Sequence, residues 1–184
     1  MTADIAKQLF KRVEDDKLLR GKPNESIIAA CIFIACRQEG VPRTFKEICT
    51  LTQVPKKEIG RCFKVLNEAF QETKVQTMTS EDLMARFCAN LRLPMEVQKA
   101  AVELTKKAKE LGTLAGKSPV SIAAACIYMA CNLYQQQRTT RDISMVCGVS
   151  EVTIKNAYKH LYNERAKLVD DRITTKLIEG LPTP

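Results

Sequence analysis

The chain has little with which to perform catalysis. It contains one histidine, and none of its eight cysteines forms a Cys-x-x-Cys pair. That leaves no metal-ligand cluster to assign, so no cofactor is expected within these residues. There is no Gly-x-Ser-x-Gly elbow, no phosphate-binding loop and no paired-glycine fingerprint. His160 lies in a helical pattern and reads as a surface or packing residue. The acidic run Glu14, Asp15, Asp16 closes a helix rather than building an ion site. An enzyme reading therefore has no residue to rest on. No apolar run reaches the ~20 residues of a membrane span, and no stretch reads as a secretory signal. No membrane partner is expected.

What the chain does have is a repeat. Residues 21–36 read GKPNESIIAACIFIAC, and residues 116–131 read GKSPVSIAAACIYMAC. Both are apolar on every side for about three helical turns, so each must be wrapped by other helices. The alanines favour helix and allow close neighbours. From Gly21 to Leu66, 17 of 46 positions match the segment 95 residues later, without a gap. Such a long period means two duplicated domains, not a solenoid of ~20–50-residue repeats. The expected domains are 1–74 and 75–184, joined by a short, fairly fixed link at 74–78. The cysteines inside each apolar helix, Cys31 with Cys36 and Cys126 with Cys131, sit five apart. They point about 140° away from each other. Core packing in a reducing compartment accounts for them.

The remaining pattern is all-helical. Ile5, Leu9 and Val13 repeat at helical spacing in a first helix. Thr44 and Glu47 form a capping box for a short helix over 45–51. Pro55 opens the next helix at its first position, and that helix runs to about residue 72. In the second half, helices are expected from 80 to about 91 and from Pro94. The latter sets Val97, Ala101, Leu104, Ala108 and Leu111 on one face. Ser118 caps the second apolar helix. A short helix over 141–146 turns at Gly148, and Ser150 caps a helix over 151–162. Residues 164–184 read as irregular, with one turn near 173–178. The second domain thus has five helices and the first only four. The missing partner of the 80–91 helix is expected to lie before Met1.

The formal charge is +8, divided evenly. Residues 1–74 carry 14 basic and 10 acidic groups, and residues 75–184 carry 15 and 11, so each half is +4. Their placement carries more information than the sum. Each domain ends in a short helix, a tight turn and a longer helix, the spacing of a helix-turn-helix. On the first longer helix, Ile59, Cys62, Phe63 and Leu66 share one side. Lys57, Gly60, Arg61 and Lys64 share the other. A glycine in mid-helix costs roughly 1 kcal/mol against alanine, which makes sense where a phosphate or backbone must come close. On the second, Ile154, Ala157, Tyr158 and Leu161 face inward. Val152, Lys155, Asn156 and Lys159 face outward and suit contact with base edges. Lys17, Arg20, Lys22 and Lys117 add charge in two loops beside Gly21 and Gly116. Arg37 ends the first apolar helix, where it could simply complement the helix dipole.

Residues 37–49, RQEGVPRTFKEIC, and 56–64, KKEIGRCFK, closely resemble the core of the general transcription factor IIB family. Residues 118–130, SPVSIAAACIYMA, resemble the matching stretch of its second repeat. The resemblance covers nearly the whole chain and implies two tandem cyclin-type five-helix domains. It implies a nuclear, monomeric, non-enzymatic factor of RNA polymerase II initiation. Such cores bind TATA-binding protein on promoter DNA, bent by about 80°, and hold the duplex on both sides. Positions matching Gly21, Lys22, Lys57 and Gly60 would touch downstream DNA. Those matching Arg37 and Lys56 would face TATA-binding protein, and those matching Val152 and Lys155 an upstream element. The family usually has Arg at the positions of Lys22 and Lys155, and Lys lacks the fork for bidentate guanine recognition. A zinc ribbon is expected only in an amino-terminal region that this sequence does not include. Two rivals share the fold: a kinase-activating cyclin, and a related factor of another polymerase or of archaea.

Overall fold

The computed structural model describes residues 1–70, 78–169 and 175–184. Every regular element among them is α-helical. The chain divides into two compact units, Met1–Met78 and Thr79–Pro184.

In the first unit, α1 (Thr2–Asp15), α2 (Asn24–Gln38), α3 (Phe45–Thr52) and α4 (Lys56–Ala69) follow in order. Helix α2 is the post: α1, α3 and α4 all pack on it. Ala29, Ala30, Cys31 and Ala35 are fully buried there, and Phe33 and Ile34 nearly so. The small alanine and cysteine side chains leave room for neighbouring helices to approach. Ile48, Ile59 and Leu66 supply the bulk from α3 and α4. Each such fully buried side chain contributes about 1.5–3 kcal/mol.

The second unit contains α5 (Ser80–Asn90), α6 (Met95–Glu110), α7 (Pro119–Leu133), α8 (Thr140–Cys147) and α9 (Glu151–Asn163). Two short helices follow, α10 (Arg165–Leu168) and α11 (Thr175–Glu179). Helix α7 is the second post, with α5, α6, α8 and α9 around it. Its residues 123–127 have no exposed surface.

The caps explain where helices start. Thr44 accepts from the Glu47 amide while Glu47 accepts from that of Thr44, the expected box. Thr79 with Asp82 and Thr139 with Asp142 repeat the arrangement. Ser118 and Ser150 cap α7 and α9. Pro55 and Pro94 are N-cap residues, one position earlier than the sequence suggests. Their fixed φ is compatible with either place.

Two expectations need correction. Leu111 does not join the buried face of α6; it is 47% exposed. The helix ends at Glu110, Gly112 turns at φ +70°, and Leu114 enters the core instead. Nor is the carboxy-terminal segment simply irregular. Leu168, Val169 and Leu181 are buried, and the Tyr158 hydroxyl donates to the Pro182 carbonyl at 2.8 Å. The expected link at 74–78 and the end of α4 near 72 fall largely outside the described residues.

Candidate nucleic-acid interface

The two helix-turn-helix segments use the same construction. In the first, α3 ends at Gln53 in the left-handed conformation, φ 58°. The Gln53 side-chain amide donates to the Thr50 carbonyl at 2.8 Å, which holds the turn. In the second, α8 ends at Gly148, φ 79°, and the Ser144 hydroxyl donates to the Val149 carbonyl at 2.6 Å. Thr140 also donates to Glu151 at 2.6 Å, tying the start of α8 to that of α9. The longer helices are thereby set by short-range bonds. Their inner faces are anchored by Ile59, Cys62 and Leu66 in α4, and by Ile154, Ala157, Tyr158 and Leu161 in α9.

The outer faces follow from that anchoring. Lys56, Lys57, Arg61 and Lys64 are exposed on α4. Lys57, Gly60, Arg61 and Lys64 lie at spacings of three or four residues, so they share one face. A Cβ added at Gly60 would meet nothing within 4 Å. The glycine therefore does not serve packing among the described residues. On α9, Val152, Lys155, Asn156 and Lys159 occupy the positions 95 residues later, and all four are exposed. Val152 is 67% exposed, well beyond what packing of its helix requires. His160 is exposed beside them.

The loop before α2 is shaped by backbone. Lys17 and Leu19 take left-handed φ values of 54° and 57°, and Gly21 takes 80°. Leu18 and Leu19 pack on the core, which leaves Lys17 and Arg20 outside. Lys22 is half-buried, and its Nζ lies 3.4 Å from Glu58 Oε2. Arg61 Nη1 donates to Glu58 Oε1 at 2.6 Å. One carboxylate thus bridges the loop and the exposed face of α4. Partial burial alone would raise the Glu58 pKa, but Lys22 and then Arg61 hold it below the usual value. Lys117, the counterpart of Lys22, is exposed in its loop.

Arg37 does more than end a helix. Its guanidinium lies 4.5 Å from the Phe33 ring centroid and 5.4 Å from that of Phe63. Phe33 stacks on Phe45 at 4.2 Å, and Phe63 meets both rings edge-on. Burial lowers the Arg37 pKa, and Nε is buried without a hydrogen-bond partner. Cation–π attraction of about 0.5–2 kcal/mol offsets part of that cost. The guanidinium is pinned in one place, half-exposed at the surface.

On the first unit the Lys22–Glu58 contact joins the loop of Gly21 and Lys22 to α4, whose Lys57, Gly60, Arg61 and Lys64 share one face. On the second, the structure brings Val152, Lys155, Asn156 and Lys159 together. Arg37 sits over its aromatic cluster, and Lys56 stands at the first position of α4. Glu58 was missed from sequence alone. The signal was there: Glu58 precedes Arg61 by three residues, within reach on a helix. Its pairing with Lys22 spans 36 residues and had no sequence signal. Among the described residues, no group of three or more His, Cys, Asp or Glu could hold a metal ion, and no helix is long and apolar enough to cross a membrane.

Duplicated helical units, each carrying a longer helix with an exposed polar face after a short helix and a tight turn, define a class of tandem-repeat, all-helical folds. A family model described as the transcription factor TFIIB repeat matches residues 1–69 and 73–164, and the chain belongs to that family. It is 53% identical over 186 residues to transcription initiation factor IIB of Schizosaccharomyces pombe. That alignment covers 92% of this chain and 55% of the relative. The protein of the same name from Drosophila melanogaster is 50% identical over 181 residues, covering 97% of this chain and 57% of its own length. The Homo sapiens protein is 50% identical over 159 residues, covering 86% and 50%. The chain spans about half the length of the curated relatives it matches. Membership of that family speaks against the kinase-activating cyclin and the enzyme readings.

Proposed function

We propose that this chain is the promoter-binding core of a general RNA polymerase II initiation factor, built as two cyclin-type repeats. It recognises a composite surface, TATA-binding protein seated on bent promoter DNA together with the flanking duplex. The observation that carries this reading is the repeated exposed face. Lys57, Gly60, Arg61 and Lys64 on one helix, and Val152, Lys155, Asn156 and Lys159 on its duplicate, are presented at the same register.

In this reading the first unit contacts phosphate through Gly21, Lys22, Lys57, Arg61 and Lys64, with Gly60 allowing close approach. The second meets flanking DNA through Val152, Lys155, Asn156 and Lys159. Arg37, pinned by Phe33 and Phe63, and Lys56 offer cations to an acidic face of TATA-binding protein. Lys155 in place of Arg favours backbone attraction over bidentate base reading. Bridging to RNA polymerase II belongs to a longer protein, acting in the nucleus. The cationic contacts release counterions, so affinity falls with salt.

The test is a gel shift with TATA-binding protein and TATA-containing DNA across a salt series. A supershifted complex is expected, and Lys57→Ala should lower the salt slope by about one. No complex at low salt, or an unchanged affinity and slope for Lys57→Ala, would refute the assignment of α4 to DNA.

A further inference from the structure

We propose that Glu58 is a positioning residue, whose carboxylate clamps Lys22 of the α1–α2 loop to Arg61 of α4 so that both cations face phosphate at a fixed spacing. The inference rests on the DNA-binding reading above. An acidic residue in the middle of a phosphate-facing surface is otherwise out of place, because its charge repels the ligand. Stability does not explain it. Glu58, Lys22 and Arg61 side chains are 30%, 36% and 52% exposed, and exposed pairs contribute little to folding.

Geometry does explain it. Lys22 comes from a loop held by left-handed residues and Gly21, whereas Arg61 comes from a helix anchored by Ile59 and Cys62. Without a link, the long Lys22 and Arg61 side chains each keep rotamer freedom that binding would have to remove. Glu58 takes Lys22 on Oε2 and Arg61 on Oε1. A carboxylate saturates neither cation: the ammonium has three donors and the guanidinium five. Donors remain for phosphate while the side chains stay placed.

The second unit supplies an internal comparison. The position 95 residues on is Thr153, whose hydroxyl shares a hydrogen bond with the Ser150 cap at 2.7 Å. Arg61 is matched there by Asn156. The duplicated scaffold therefore does not demand an acid at this point: the second unit keeps the loop lysine, as Lys117, with neither an acid nor an arginine at the matching positions of its helix.

The two accounts of Glu58 predict opposite signs. If it is only a stray negative charge, Glu58→Gln should tighten DNA binding. If it positions Lys22 and Arg61, the isosteric Glu58→Gln should weaken the complex with TATA-binding protein and DNA about two- to five-fold. Fluorescence anisotropy on labelled promoter DNA reads this, with a thermal melt alongside. Little change in melting is expected, and in a Lys22→Ala background Glu58→Gln should have a much smaller effect. Equal or tighter binding by Glu58→Gln overturns the proposal, as does an unreduced effect in the Lys22→Ala background. Lys57→Ala separates the two levels. If it weakens binding while Glu58→Gln tightens it, only the positioning role fails. If neither variant changes binding, the assignment of α4 to DNA fails with it.

Discussion

Gly60→Ala should move stability and binding in opposite directions. Gly60 lies inside α4 with ordinary helical neighbours, and an added Cβ finds open space. Alanine is about 0.8–1 kcal/mol better than glycine in a helix interior, mostly because it narrows the unfolded ensemble. Nothing among the described residues opposes the methyl group. For a unit of this size, 1 kcal/mol corresponds to a rise in Tm of about 4–8 °C. DNA binding should respond the other way. The methyl carbon projects about 1.5 Å from the backbone, between Lys57 and Arg61 on the face assigned to phosphate. Displacing the duplex there by enough to break one charge-assisted contact costs about 1.5–3 kcal/mol. That is roughly a ten- to hundred-fold loss of affinity. Circular dichroism melts and anisotropy titrations with TATA-binding protein and promoter DNA give the two numbers on one sample. A stabilised variant that binds as well as the parent would show that nothing approaches the backbone at Gly60. A variant that is not stabilised would refute the open helical site itself.

Other consequences can be measured separately. Lys155→Ala should weaken binding to the complex across different upstream sequences by a similar factor, since Lys supplies point charge; a loss confined to one sequence would show base-specific reading instead. Ile59→Ala removes a fully buried side chain and should cost about 2–5 kcal/mol in a denaturant titration, whereas Val65→Ala, 40% exposed, should cost far less. Cys49 should be labelled ahead of the other seven thiols under native conditions, although partial burial raises its pKa as well. It is half-exposed, while the other seven are buried and burial pushes Cys31, Cys126 and Cys131 up to about 12; rapid labelling of Cys31 or Cys131 in a peptide map would contradict this. The Asp142 carboxylate is held below its usual pKa by the side-chain and backbone hydrogen bonds from Thr139. A lowered folded value means its support is present above the ordinary aspartate range and fades as pH falls through the folded value. Asp142→Asn should therefore flatten the acid limb of the stability profile, leaving it unchanged only if the box is not formed in solution.

Much of the fold was legible because strong local signals agreed with one another. Residues 21–36 and 116–131 are apolar all round, and only a central helix satisfies that. Thr44 with Glu47, and Ser118 before Pro119, marked helix starts through bonds confined to a few residues. The outward faces of α4 and α9 followed from helical period once Ile59 and Ile154 were placed inside. What escaped was set by contacts distant in sequence. Lys22 meets Glu58, Tyr158 meets Pro182, and Arg138 donates from Nε to the Leu91 carbonyl at 3.0 Å across 47 residues. No periodicity encodes those pairs. Arg37 was readable as a helix end, but its seat over Phe33 and Phe63 needed α2, α3 and α4 to be packed first.

The duplication separates what the scaffold needs from what the surface was given. Ile59 and Ile154 match, as do Leu66 and Leu161, because the same core lies beneath both longer helices. Outward, the same registers hold different chemistry: Lys57 against Val152, Gly60 against Lys155, Arg61 against Asn156. Packing does not set these identities: the Lys57, Arg61, Val152, Lys155 and Asn156 side chains are exposed, and a Cβ at Gly60 would meet nothing within 4 Å. A generic solubility charge would not put a bare glycine at one register and a 67% exposed valine at another. On the proposed reading, two different stretches of promoter DNA account for the difference. The first face, with its glycine and its clamped Lys22 and Arg61, suits the uniform spacing of phosphates. The second, with Val152 and Asn156, carries groups that can meet a thymine methyl and an adenine edge. Exchanging the three outward residues of α9 that differ for those of α4 (Val152→Lys, Lys155→Gly and Asn156→Arg) tests that division. The swapped chain should keep its melting behaviour and its salt-dependent affinity while losing any preference among upstream sequences. A collapse of affinity on every sequence would mean that the two faces do not meet equivalent phosphate surfaces, and that register alone does not govern their use.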